Sequence, residues 1–196
     1  MGLPSLGGAV LAGGEGRRMG RPKSGLRVGD EPLLLRQLRL LLDAGAEERW
    51  VSLGTAGETG VRMDPEVRVV RDEQSGQGPL AGIERVLAHT ETRWVLILAV
   101  DLPEMTADFL RRLVAGRLPG QGVVPRLGSR FEPLAAVYPQ SALGEAVIRL
   151  DRGDRSLQEF VGALVDSGQM RVLEVEREQA ALFTNWNRPE DYPGRQ

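Results

Sequence analysis

Residues 94–100 read WVLILAV, seven consecutive apolar residues, several of them branched, closing on Asp101-Leu102-Pro103. A strand with one face in water alternates apolar and polar side chains; this run does not alternate, so both of its faces need cover. That requirement predicts a central strand of a mostly parallel sheet with helices on either side. The rest of the chain has the matching rhythm. Gly8 to Ala12, Trp50 to Leu53, Arg68 to Val70 and Arg171 to Val175 read as further strands. Leu33 to Leu42 carries leucines at helical spacing after Pro32, and Pro79 opens a helix running to His89. Thr106 is a good N-cap for a helix through Val114, with Asp108 in its first turn. Beyond Leu118 two shorter strands (Gly122 to Pro125 and Pro133 to Tyr138) precede helices at Gln140 to Leu150 and Ser156 to Val165. Strands alternating with helices of about ten residues predict a three-layer α/β domain with a mostly parallel central sheet. No repeat or long linker divides residues 1–196, so a single domain is expected, with the glycine- and proline-rich stretch 118–122 marking the edge of its C-terminal part.

Composition removes several function classes. The chain has 196 residues, 41% hydrophobic and 27% charged, with a formal net charge of -2. Both fractions are ordinary for a globular chain, and no global basic field recruits nucleic acid. There is no cysteine, hence no disulfide, thiolate metal site or cysteine nucleophile. The single histidine, His89, sits at the end of an expected helix and reads as a surface residue. No apolar run approaches the ~20 residues that span a bilayer, and Met1 to Ala12 lacks a signal-peptide pattern, so a cytoplasmic protein with no membrane partner is expected.

The chemistry concentrates after the first strand. Residues 11–23 read LAGGEGRRMGRPK, four glycines and four cations in one loop. Glycines let backbone amides turn toward an anion, while Arg17, Arg18, Arg21 and Lys23 supply charge. A triphosphate suits such a loop at the C-terminal end of a strand. The segment lacks the GxxxxGK[ST] of a Walker A loop. Gly14, Gly16 and Gly20 give GxGxxxG, but no acidic residue ends the strand at Leu53 to take a ribose, which argues against a dinucleotide-dependent oxidoreductase.

Two carboxylates end strands. Asp101 follows the central run, where strand C-termini line the crevice of a parallel sheet. One carboxylate with phosphate oxygens and waters is the usual way to hold magnesium. Asp72 lies before Gly76, Gly78 and Pro79, and can contact the nucleotide, serve the metal's outer shell or simply close a turn. Gly78 to Gly82 puts a glycine on each side of a helix start, where backbone can approach a base or ribose.

Taken in order, these pieces resemble the molybdenum cofactor guanylyltransferases of the MobA type. LAGGEGRRMGRPKSGL, RDEQSGQGPLAGI, LAVDLPEM, FEPLAAVY, GDRSL and NWNRPED each resemble a family segment, and they span most of the chain in the family's order. The resemblance implies a three-layer Rossmann-like nucleotidyltransferase fold, with GTP and molybdenum-bound molybdopterin as substrates and molybdopterin guanine dinucleotide and pyrophosphate as products. It implies that Leu11, Ala12, Gly13 and Gly14 surround the nucleotide and that Lys23 binds phosphate. Asp72, Gly78 and Pro79 then border the nucleotide, and Asp101 binds Mg2+. Asn185 and Asn187 fall near the pterin or metal side, and Arg155 is a candidate for the pterin phosphate, with Arg126 and Arg130 as weaker ones. Lys23, Asp101 and Arg18 form the expected catalytic set. Proteins that insert molybdenum or mature molybdenum enzymes are further implied partners. On this reading residues 1–118 mainly hold nucleotide and 119–196 mainly hold pterin.

Two departures stand out. Pro22-Lys23 replaces the family's Asp-Lys, and no asparagine follows the second strand in Ser52 to Ala56. The wording MGRPK is shared with the cytidylyltransferase relatives, which usually begin LAAG, so Gly13 favours guanine. A related cytidylyltransferase, another nucleotidyltransferase, and a non-catalytic nucleotide-binding protein that delivers cofactor remain the rival readings.

Overall fold

The computed structural model describes residues 6–13, 26–55, 58–73 and 76–186. Ten strands and five α-helices are described. In chain order they are β1 (Leu6–Leu11), β2 (Arg27–Val28), β3 (Glu31–Pro32), α1 (Leu33–Asp43), β4 (Glu48–Leu53), β5 (Val67–Arg71), α2 (Pro79–His89), β6 (Trp94–Ala99), α3 (Ala107–Ala115), β7 (Gly122–Leu127), β8 (Arg130–Phe131), β9 (Ala135–Pro139), α4 (Leu143–Asp151), α5 (Leu157–Asp166) and β10 (Met170–Glu174).

The main sheet runs β10-β7-β9-β6-β1-β4-β5, with β8 paired to β7. The WVLILAV run thus lies at the centre, and every residue of β6 is buried. Parallel ladders join β6 to β1, β1 to β4, β4 to β5 and β7 to β10. Only β9 and the short β8 run against the rest. The mostly parallel α/β architecture expected from the sequence is what the chain adopts. Strand periodicity divides the core into two layers. Val51 and Leu53 face α1 and α3 with Leu34, Leu41 and Phe109, whereas Trp50 and Val70 face α2 with Ile83 and Leu87. Each fully buried leucine or isoleucine here contributes roughly 1.5–3 kcal/mol.

The Thr106 cap expected from sequence is present, and Ser156 caps the next-but-one helix in the same way. Thr106 Oγ1 accepts the Phe109 N–H at 3.3 Å, and Ser156 Oγ accepts the Glu159 N–H at 3.3 Å. His89 is exposed at the end of α2, with Nδ1 2.7 Å from the Arg85 carbonyl. Three elements lay outside the sequence reading: the β2–β3 hairpin, β8, and a 3-10 helix at Arg177–Phe183. The two hairpin strands and β8 are two residues each, too short to carry a periodic signal. The 3-10 segment docks back on α3, where Phe183 meets Phe109 edge-on with centroids 5.4 Å apart. No helix among the described residues is long and apolar enough to cross a membrane.

Candidate nucleotide and metal site

All the parallel strands of the β6-β1-β4-β5 block end at one edge of the sheet, and the candidate residues gather there. The Val100 N–H donates to the Leu11 carbonyl at 3.1 Å, and the Ala12 N–H donates to the Ser52 carbonyl at 2.9 Å. The Asp72 N–H donates to the Leu53 carbonyl at 3.0 Å. Leu11, Ala12 and Gly13 therefore leave the sheet between the strand that carries Asp101 and the strand next to Asp72. Asp101 and Asp72 stand three strand steps apart, about 14 Å at ~4.8 Å per step. That span exceeds what one metal ion's inner shell bridges, at 2.0–2.6 Å per ligand.

Gly13 has a steric reason to be glycine. A Cβ built on it would lie 2.8 Å from the Gly54 nitrogen and 3.1 Å from the Leu53 carbonyl carbon. Both are backbone atoms that a side chain cannot push aside cheaply. Gly78, the N-cap of α2, has φ of 73°, the left-handed region that glycine enters without penalty, and Pro79 follows at the first helical position. Gly78 and Pro79 are both exposed at this end of the sheet.

Asp72 is partly buried, and its Oδ1 is buried without a hydrogen-bond partner among the described residues. Burial pushes its carboxyl above the ordinary range; Arg85 pulls it back and Glu84 adds to the rise. A second carboxyl, Glu132, on the other side of β6, is also raised by burial. It lies just before β9, whose start abuts the end of β6 through the bond from Ala99 N–H to the Leu134 carbonyl at 2.7 Å. Sequence reading did not single out Glu132, because its nearness to β6 follows from the reversal of β9.

Asp101 sits in a turn held from several directions. Its own carbonyl accepts the Trp186 N–H at 3.0 Å. Gln37 Nε2 donates to the Leu102 carbonyl at 2.7 Å and approaches the Val100 carbonyl at 3.5 Å. Arg36 donates through Nε to the Pro103 carbonyl at 3.1 Å and through Nη2 to the Met105 carbonyl at 3.2 Å. Gln37 Oε1 is buried with no partner among the described residues, a cost of about 1–3 kcal/mol.

The C-terminal candidates distribute unevenly. Asn185 is exposed beside Trp186, next to the Asp101 turn. Arg155 Nε donates to Gln77 Oε1 at 3.0 Å, joining the segment before α5 to the loop before α2. Arg126 is engaged elsewhere, paired across strands with Glu174, while Arg130 lies close enough to Glu132 to lower its carboxyl. Gly14, Arg17, Arg18, Arg21, Lys23 and Asn187 lie outside the described residues. A shallow surface cleft of about 610 Å³ opens at the ends of β4 and β5, lined by Leu53, Glu58, Thr59, Val61, Met63 and Arg71 among others.

A mostly parallel sheet in which Gly13 leaves β1 beside the Asp101 turn at the end of β6 is the arrangement in which α/β proteins bind nucleotides. The family description MobA-like NTP transferase domain matches residues 8–168. A probable molybdenum cofactor guanylyltransferase of Opitutus terrae is 46% identical over 190 residues, covering 95% of this chain and 93% of its own. The crystal structure of molybdopterin-guanine dinucleotide biosynthesis protein A from Archaeoglobus fulgidus superposes with a TM-score of 0.68 at 25% identity, covering 94% of this chain and 93% of that one. A Mycobacterium tuberculosis protein solved in complex with manganese superposes with a TM-score of 0.62 at 24% identity, covering 88% of each chain. The chain belongs to the MobA-like NTP transferase family.

Proposed function

We propose that this enzyme transfers GMP from GTP to molybdenum-bound molybdopterin, giving molybdopterin guanine dinucleotide and pyrophosphate. The observation that carries the reading is the bond from Val100 N–H to the Leu11 carbonyl, which sets the start of the glycine loop beside Asp101. Relatives named molybdenum cofactor guanylyltransferase direct the choice of guanine.

Nucleotide would lie over Leu11, Ala12, Gly13 and Gly14, reaching toward Asp72, Gly78 and Pro79. Among the described residues no group of three or more histidine, cysteine or carboxylate side chains could cage a metal. One carboxylate completed by substrate phosphates and water fits the chemistry of Mg2+, which keeps several waters and favours phosphate oxygens. Asp101 is the residue that would hold it, and the manganese complex of the tuberculosis protein supports a divalent ion in this fold. When bound, the ion supplies charge neutralisation at the phosphate oxygens.

The pterin's terminal phosphate oxygen attacks the α-phosphorus of GTP in line. A bond from that oxygen to the α-phosphorus forms, the bond between the α-phosphorus and the bridging oxygen breaks, and pyrophosphate leaves. The attacking phosphate is already ionised, so no general base is needed. Lys23 and Arg18 offset the charge on the departing pyrophosphate, and the loop amides assist. Arg155, Asn185 and Asn187 border the pterin, so that residues 1–118 mainly serve nucleotide and 119–196 mainly serve pterin. The setting is the cytoplasm, with molybdenum-insertion and molybdoenzyme-maturation proteins as the providers and recipients.

The test is calorimetric binding of GTP, CTP and ATP with Mg2+, followed by pyrophosphate release with molybdenum-loaded molybdopterin. Preference for GTP with pyrophosphate release supports the reading. Preference for CTP moves the assignment to the cytidylyltransferases. GTP binding without pyrophosphate release makes the protein a carrier of nucleotide or cofactor.

A further inference from the structure

Helix α1 reaches the Asp101 turn with two adjacent side chains, and their donors cover the carbonyls on either side of the aspartate. Gln37 is wholly buried in a helix whose other buried residues are Leu33, Leu34, Leu38, Leu40 and Leu41. A leucine or methionine in its place would bury no unpaired amide oxygen, but it would take the side-chain donor away from the Leu102 carbonyl. Gln37 instead buries an amide whose Oε1 has no partner among the described residues. Only its N–H groups are used, and they meet the Leu102 carbonyl at 2.7 Å and, more loosely, the Val100 carbonyl at 3.5 Å. Those carbonyls belong to the residues directly before and after Asp101. Arg36 extends the same clamp to the Pro103 and Met105 carbonyls, and Trp186 N–H takes the carbonyl of Asp101 itself.

We propose that Gln37 and Arg36 are positioning residues that aim the Asp101 carboxylate at the metal–nucleotide complex. The proposal rests on the reading of Asp101 as the metal's protein ligand. Rotating a peptide plane beside Asp101 breaks at least one of these bonds, and those planes set the direction of its Cβ. The carboxylate is thereby held ready before substrate arrives, and little ordering is left for the binding step. Gln37 is wholly buried and the Arg36 donors go to backbone carbonyls, so each acts through the Asp101 turn.

The experiment uses the whole chain and compares GTP affinity without divalent metal and with Mn2+ as the probe. The ratio of the two affinities is the metal increment. Asp101→Asn should erase it. Gln37→Leu should cut it by about tenfold or more while leaving metal-free GTP affinity at the wild-type value. Arg36→Met should cut it less, and Arg36→Lys should restore most of that loss. Adding Gln37→Leu to Asp101→Asn should lower nothing further. A wild-type increment in Gln37→Leu, or an equal loss of metal-free and metal-dependent affinity, overturns the proposal. Should Gln37→Leu not fold, Arg36→Met against Arg36→Lys decides it by the same criteria. If Asp101→Asn keeps the full increment, the metal reading itself fails and the inference falls with it.

Discussion

The backbone N–H of Trp186 donates to the carbonyl of Asp101 at 3.0 Å, tying the C-terminal segment to the turn at the end of the central strand. Eighty-five positions separate the two residues (186 − 101). The Trp186 side chain is only 6% exposed and packs into the α1–α3 layer of the core. Trp186→Ala should therefore cost about 3–5 kcal/mol of stability and also lower turnover, because the Asp101 turn loses its support. Denaturant unfolding and pyrophosphate release on the same preparation check both parts. A stability loss with unchanged turnover per folded molecule would separate the tryptophan from the site.

Asp101→Ala should lower turnover by several orders of magnitude and leave the fold intact, since the carboxylate sits at a strand end and not in the core. Far-UV circular dichroism and steady-state rates in Mg2+ are the measurements. Near-normal turnover would reassign the metal to another group.

Gly13→Ala puts a Cβ 2.8 Å from the Gly54 nitrogen, so the two strand-end turns must separate. GTP affinity should fall at least tenfold, with a smaller loss of thermal stability. A variant with full GTP affinity would show that the β1 and β4 turns yield easily, and the steric reason for glycine at this position would be gone.

Asp72 carries a pH prediction. Burial raises its carboxyl pKa above the ordinary 3.8, so the folded chain holds the proton more tightly than the unfolded chain. The stability linked to that proton is full below the unfolded pKa and is lost as pH rises through the folded pKa. Asp72→Asn, which never ionises, should gain thermal stability over wild type as pH rises from about 4 to 7, with little difference at the acid end. The same variant should bind GTP more weakly. Melting curves at the two ends of that range decide the first part, and a stability loss at neutral pH would contradict it.

On the proposed assignment of Arg155 to the pterin phosphate, Arg155→Ala should raise KM for the pterin substrate more than it weakens GTP, even though its side chain also bonds Gln77 beside the nucleotide-side Gly78. Equal weakening of both substrates would assign Arg155 to the nucleotide loop.

Much of this protein is legible in local sequence. The unbroken apolar run at residues 94–100 required a strand covered on both faces, and β6 is central and buried. Thr106 declared a helix start through a side chain that acts within three residues. Pro79, Gly78 and the leucine spacing of α1 were equally readable, because caps, turns and periodicity are short-range effects. The position of Asp101 at a strand end came from the same local logic.

Gln37 was not readable in that way. In a leucine-rich helix it looks like one polar residue on a helical surface, yet it is buried against carbonyls more than sixty positions away. Strand order, the reversal of β9 that brings Glu132 to the site, the ~14 Å between Asp72 and Asp101, and the fit of Gly13 against Gly54 are likewise products of packing. The chain's own pattern determined which segments become strands and helices and which residues stand at their ends. Only the tertiary structure decided which ends become neighbours, because that choice depends on contacts between segments far apart in sequence, where no local propensity acts.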